Sequence, residues 1–120
     1  MAVSAKVFVR GLTVGARIGV YEQEQGRDQP LVIDAELDVV MDEPERLSQT
    51  LNYETILNAA QEIAASGHIS LVETFAWRLA RALLADDRVS LARVRIEKPT
   101  ALAPHAQAAG VEITLARPGL

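Results

Sequence analysis

The spacing at which apolar residues recur changes twice along this chain of 120 residues, and each change demands a different backbone. From Leu31 to Val40 the odd positions Leu31, Ile33, Ala35, Leu37 and Val39 are apolar, while Asp34, Glu36 and Asp38 stand between them. A period of two belongs to a strand buried on one face. Val89 to Lys98 alternates in the same way, with Ala92, Val94 and Ile96 against Arg93, Arg95 and Glu97. So do Val111, Ile113 and Leu115 against Glu112 and Thr114. In the middle the period lengthens to that of a helix, with Ile56, Ala59, Ala60, Ile63 and Ala64 at i, i+3, i+4, i+7 and i+8. Asn52 is its expected cap, and Gly67 follows its end. A second helix is expected to open at Ser70 and run to about Leu84, with Val72, Ala76, Leu79 and Leu83 along one side. Lys6 to Val20 alternates less strictly and is broken by Gly11, Gly15 and Gly19. It reads as a bent strand or a hairpin whose glycines mark a turn or bulge.

Strands, then two helices, then strands predict an α+β fold: a four-stranded antiparallel sheet with both helices on its apolar face. The opposite face is charged. Asp34, Glu36 and Asp38 meet Arg93 and Arg95 there if those two strands are neighbours. With 49% apolar residues the chain supplies one core, so a single domain over residues 1–120 is expected, with a short tail from Arg117 to Leu120. Sixteen acids against twelve bases leave a net charge of -4, which argues against nucleic acid as a partner because phosphate binding needs a basic face. No apolar run approaches the roughly 18 residues of a spanning helix. Met1 to Arg10 also lacks a charged-then-apolar export signal, so a soluble, unexported chain with no membrane partner is expected. The absence of Cys excludes disulfides, thiolate metal sites and cysteine nucleophiles, and fits a reducing cytoplasm. Trp77 lies off the main helical stripe, which suggests a helix surface covered by another element or another chain.

Several side chains have two readings. Lys98 precedes Pro99, which holds it extended, and by parity it ends the apolar row of Val94 and Ile96. It either snorkels to water or remains a partly desolvated ammonium suited to moving protons near neutral pH. Glu73 stands three residues after Ser70, a capping-box spacing, yet a first-turn carboxylate also accepts well from a ligand offering two parallel N–H groups. Glu22 and Glu24 lie in a polar stretch after Gly19, where solvation alone explains most acids. Tyr53 opens the first helix, where packing across the next turn would account for it. The acids of the Asp34 row sit about 7 Å apart along a strand, too far to converge on one ion, so no metal is expected. His68 and His105 have no ligand partner at metal spacing and are assigned no role. No P-loop, Gly-x-Ser-x-Gly elbow or dinucleotide fingerprint is present.

Four segments in order go further: Ile18-Gly19-Val20-Tyr21 with Glu24 behind it, Leu51-Asn52-Tyr53, Ser70-Leu71-Val72-Glu73-Thr74, and Lys98-Pro99 followed by Gly110-Val111-Glu112-Ile113. Together they resemble the dihydroneopterin aldolases of folate biosynthesis, and the resemblance runs from Val7 to Leu115. It implies a tunnelling fold, ββααββ, whose subunits join edge to edge in a four-membered barrel ring, two rings stacking into an octamer, with active sites between neighbouring subunits. The charged sheet face would then line a central tunnel. The implied reaction is retro-aldol cleavage of 7,8-dihydroneopterin, a small-molecule pterin, to 6-hydroxymethyl-7,8-dihydropterin and glycolaldehyde. No metal, Schiff base or other cofactor is implied, because the ring's own imine nitrogen accepts the electrons released.

Residue by residue, Glu73 resembles the family's pterin anchor, helped by backbone groups of Leu71 and Val72. Lys98 matches its proton-transfer lysine, Tyr53 the tyrosine that assists protonation from the neighbouring chain, and Glu24 the acid beside that lysine, chosen over Glu22 because it stands five residues after Gly19. Two other readings accompany the aldolase. One is a dihydroneopterin triphosphate 2'-epimerase, which needs clustered cations where the early chain offers only Lys6, Arg10 and Arg17. The other is a non-catalytic pterin-binding ring protein. The loop Thr100 to Ala109 departs from the Pro-rich version usual in the family, and Ala109 stands where Val is common.

Overall fold

A computed structural model describes residues 2–118, so Gly119 and Leu120 of the expected tail lie outside the described residues. Four strands, β1 (Ala2–Arg17), β2 (Asp28–Asp42), β3 (Val89–Lys98) and β4 (Ala109–Ala116), form one antiparallel sheet in the order β1-β2-β3-β4. Between β2 and β3 come α1 (Glu54–Ala65) and α2 (Val72–Leu83). The α+β architecture expected from the two periods is the one observed.

The odd positions of β2 from Leu31 to Val39 are all buried, as are Ala92, Val94 and Ile96 of β3. They pack under Ile56 and Ala60 of α1 and Phe75, Ala76, Leu79 and Leu83 of α2. Val89 breaks the parity of β3 yet is buried, because the register slips between Asp38 and Val39 and a bulge at Ser90 restores its face. Asp34 lies opposite Arg95 and Glu36 opposite Arg93, so the acids and bases of the charged face do meet. Arg93 Nη1 is 2.5 Å from Glu36 Oε2, and Lys6 Nζ is 3.0 Å from Asp38 Oδ1.

Three local expectations are resolved or corrected. Of the bent strand or hairpin expected over Lys6 to Val20, the strand is observed, with Lys6 to Arg17 part of one 16-residue strand. Its irregularity is a bulge at Arg10 and Gly11, where Gly11 takes φ +70° and donates its N–H to Asp34 Oδ1 at 2.7 Å. Second, Ser70 does not cap α2. Ile69 forms a parallel bridge with Ile18, and the chain stays extended through Leu71 (φ −120°, ψ 136°), so the helix opens only at Val72 and Glu73 is not part of a capping box. Third, α1 starts at Glu54 with Tyr53 at the cap position, although Asn52 Oδ1 still accepts the Glu54 N–H at 3.0 Å. The tail begins firmly tied, since Arg117 Nη2 donates to the carbonyls of Leu84, Asp86 and Val89. Trp77 is 49% exposed, with the Arg81 guanidinium 5.9 Å from its ring centroid. No described helix is long and apolar enough to cross a membrane.

Candidate active site

β1 ends at Arg17, and the segment after it is clamped to the loop before α2. Ile69 donates its N–H to the Arg17 carbonyl at 2.9 Å, and Gly19 donates to the Ile69 carbonyl at 3.1 Å. Gly19 then takes φ +133°, and the 3-10 turn Glu22–Glu24 folds the chain back so that the Glu24 carboxylate lies over the Gly19 backbone. A Cβ at position 19 would come within 2.2 Å of the Glu24 carboxyl carbon. Glycine is required here twice over, by its backbone angle and by that contact.

Glu24 receives three hydrogen bonds in this fold. Lys98 Nζ lies 2.5 Å from Oε2, Gln29 Nε2 donates to the same oxygen at 2.9 Å, and the Tyr21 N–H reaches Oε1 at 3.3 Å. Donation by Gln29, then by Lys98, holds its carboxyl at about 2, below the usual 4.5, against the opposing effect of desolvation. Lys98 and Glu24 expose only 12% and 14% of their side chains, so the lysine ends in an ion pair rather than snorkelling to bulk water. β3 and the turn after it aim the ammonium this way. Gly110 of β4 lets the two strands approach there, since a Cβ at 110 would sit 1.9 Å from the Ile96 carbonyl oxygen. A groove of 510 Å³ opens beside the pair, lined also by Tyr21, Arg27, Gln29 and Leu102.

The other singled-out residues lie elsewhere on the chain. Glu73 is exposed on the first turn of α2, without a hydrogen-bond or ion-pair partner among the described residues, and it does not line the Lys98 groove. The N–H groups of Val72 and Glu73 have no backbone acceptor among the described residues, as expected for a helix start. Leu71 is 47% exposed beside them. The clamp at Gly19 and Ile69 places this helix start next to the Glu24 turn. Tyr53, 63% exposed, lines a separate groove of 560 Å³ with Lys6, Phe8, Leu47 and Leu51. One chain therefore brings Lys98 and Glu24 together, sets the Glu73 segment behind their loop, and carries Tyr53 on a different surface.

Reasoning from sequence missed Gln29 and Arg27. Gln29 had a readable signal: it heads the buried row of β2, two residues before Leu31, and a polar side chain at buried parity must find partners. Its Nε2 also donates to the Ile18 carbonyl at 2.6 Å.

A family model described as FolB, dihydroneopterin aldolase, matches residues 7–114. The dihydroneopterin aldolase of Haemophilus influenzae is 32% identical over 117 residues, covering 93% of this chain and 95% of that one. The crystal structure of dihydroneopterin aldolase from Burkholderia thailendensis bound to guanine is similar with a TM-score of 0.85 and 30% identity, covering 95% of this chain and 92% of that one. The Escherichia coli dihydroneopterin aldolase in complex with neopterin gives 0.80 and 31%, covering 93% and 99%. A match that spans both the ion-paired Lys98 and the helix start carrying Glu73 places this chain in the dihydroneopterin aldolase family.

Proposed function

We propose that this chain, acting as one domain, cleaves 7,8-dihydroneopterin by a retro-aldol reaction in folate biosynthesis, releasing 6-hydroxymethyl-7,8-dihydropterin and glycolaldehyde. The observation that carries the reading is the Lys98–Glu24 pair at the edge of an open groove in a chain of this family. Guanine and neopterin, the ligands of two relatives, share a 2-amino-4-oxopyrimidine edge that offers adjacent N–H donors. A Glu73 carboxylate unpaired among the described residues, with the N–H groups of Val72 and Glu73 beside it lacking backbone acceptors there, suits that edge. With the ring gripped there, the side chain of the substrate extends towards Lys98. Removing the hydroxyl proton breaks the C1'–C2' bond, the electrons move into the ring imine, and the resulting enamine carbon takes a proton back. Lys98 takes the hydroxyl proton as the free amine and, as the resulting ammonium, gives a proton to the enamine carbon. Glu24 stays ionised at any neutral pH and is too weak a base to keep one, so it holds the ammonium in place. Tyr53 of a neighbouring chain assists the return.

The site is completed by assembly. Among the described residues the outer edges of β1 and β4 pair with no strand, and an open edge is a template for a second chain. Joining β1 to the β4 of a neighbour would bring a Tyr53 groove towards a Lys98 groove and close the sheets into a ring of four, two rings making an octamer. A cytoplasmic setting completes this reading. The epimerase alternative asks for several cations around a triphosphate, whereas among the described residues the Lys98 groove is lined by Arg27 but not by Lys6, Arg10 or Arg17, and Lys6 is already held by Glu36 and Asp38.

Incubation with 7,8-dihydroneopterin and chromatography of the products tests the proposal. The expected products are the hydroxymethyl pterin and glycolaldehyde. Lys98→Ala should lower turnover by about 10²-fold or more while neopterin still binds. Unchanged turnover in that variant removes Lys98 from the mechanism, and no product from the unaltered chain removes the aldolase reading.

A further inference from the structure

His68 precedes the Ile69 bridge and reaches back across it. Its Nε2 lies 2.8 Å from the Gly19 carbonyl oxygen, which can only accept, so Nε2 carries the hydrogen and donates. Nδ1 is buried with no hydrogen-bond partner among the described residues. One ring nitrogen is spent on the backbone and the other is sealed, so the imidazole has no free face from which to pass a proton to a substrate. What it does control is Gly19. That residue joins the Glu24 turn to the Ile69 segment: its N–H is fixed by Ile69, its carbonyl by His68 and, at 3.3 Å, by Gln25, and the Glu24 carboxylate packs against its backbone. Ile69 to Leu71 leads from His68 directly into the helix that carries Glu73.

We propose that His68 is a positioning residue for the reaction, setting the Glu24–Lys98 pair against the helix start at Glu73. This rests on the functional reading above. The side chain ties the Gly19 peptide, which backs Glu24, to the loop that feeds α2, so the span between ring anchor and proton carrier is fixed from one point. Small errors in such a span cost rate far more than they cost binding, since displacing reacting groups by about 1 Å can lose up to 10²-fold.

The test compares His68→Ala with His68→Gln, whose amide Nε2 can occupy the place of the imidazole Nε2. In His68→Ala, kcat should fall about tenfold while KM changes less than about threefold, and His68→Gln should restore most of the loss. A crystal structure of His68→Ala should show the Lys98 Nζ to Glu24 Oε2 separation lengthened beyond hydrogen-bond range. Wild-type kcat in His68→Ala, equal impairment in both variants, or an unmoved Lys98–Glu24 pair would overturn the proposal. An unaltered chain without aldolase activity would instead sink the functional reading, and the crystal structure would then judge His68 on its own.

Discussion

At the scale of single residues, Glu24 and Gly19 form one unit. The carboxylate occupies the volume that any Cβ at position 19 would take, on a backbone at φ +133°. Gly19→Ala is therefore expected to displace Glu24 from Lys98 and lower kcat about as severely as losing the carboxylate. Comparing kcat of Gly19→Ala with that of Glu24→Ala checks this, and a fully active Gly19→Ala would show that the loop tolerates another path. The lowered pKa of Glu24 also fixes the sign of a pH effect. With its folded value at about 2 and its ordinary value at 4.5, ionised Glu24 favours the folded state. That contribution is complete above about pH 5 and is lost as pH falls towards 2. Thermal melts should show Glu24→Gln losing less stability than wild type over that acid range, a difference on the order of 1 kcal/mol given the partial solvent access of the pair. Lys98 and Glu24 could be named from the motifs, but their ion pair crosses 74 positions of sequence, and no spacing rule reaches that far.

Among elements, β2 was the most legible, because both its neighbours are strands and its alternation maps directly onto burial. The start of α2 was the least. Ser70 to Glu73 satisfies a local capping pattern, yet the bridge between Ile18 and Ile69 holds the backbone extended past the serine. A pairing formed across 51 positions overrides a preference worth about 1 kcal/mol. The β3–β4 ladder has its own requirement at Gly110, whose missing Cβ admits the Ile96 carbonyl. Gly110→Ala should force the two strands apart near Lys98, costing about 3 kcal/mol in denaturant unfolding, with turnover falling too. Neutral stability in that variant would show that β4 can shift without loss.

The whole molecule is long for its mass. It extends 53 × 27 × 26 Å, while a twelve-residue helix covers about 18 Å of sheet. Its accessible surface of 7460 Å² exceeds the roughly 6,300 Å² of a typical compact monomer of 13.0 kDa. The two sheet edges left unpaired among the described residues add to the exposed surface, and the proposed assembly would cover them. If the site is shared, mixing Lys98→Ala and Tyr53→Phe chains after dissociation should restore activity, because an interface joining the intact halves has both groups. Random mixing gives about a quarter of the interfaces in that state. A mixture no more active than its components would show that Lys98 and Tyr53 do not act across an interface between two chains.

Sequence alone determined the alternation of strand and helix and the buried rows, since each is written in local period, and it named the candidate site positions from short ordered motifs. Which side chains touch was decided by the tertiary structure: Lys98 with Glu24, Gln29 beneath them, and His68 on Gly19. Burial periodicity tells only which face a residue is on, whereas contact depends on how strands register and loops close across the sheet, an outcome of packing the whole chain at once.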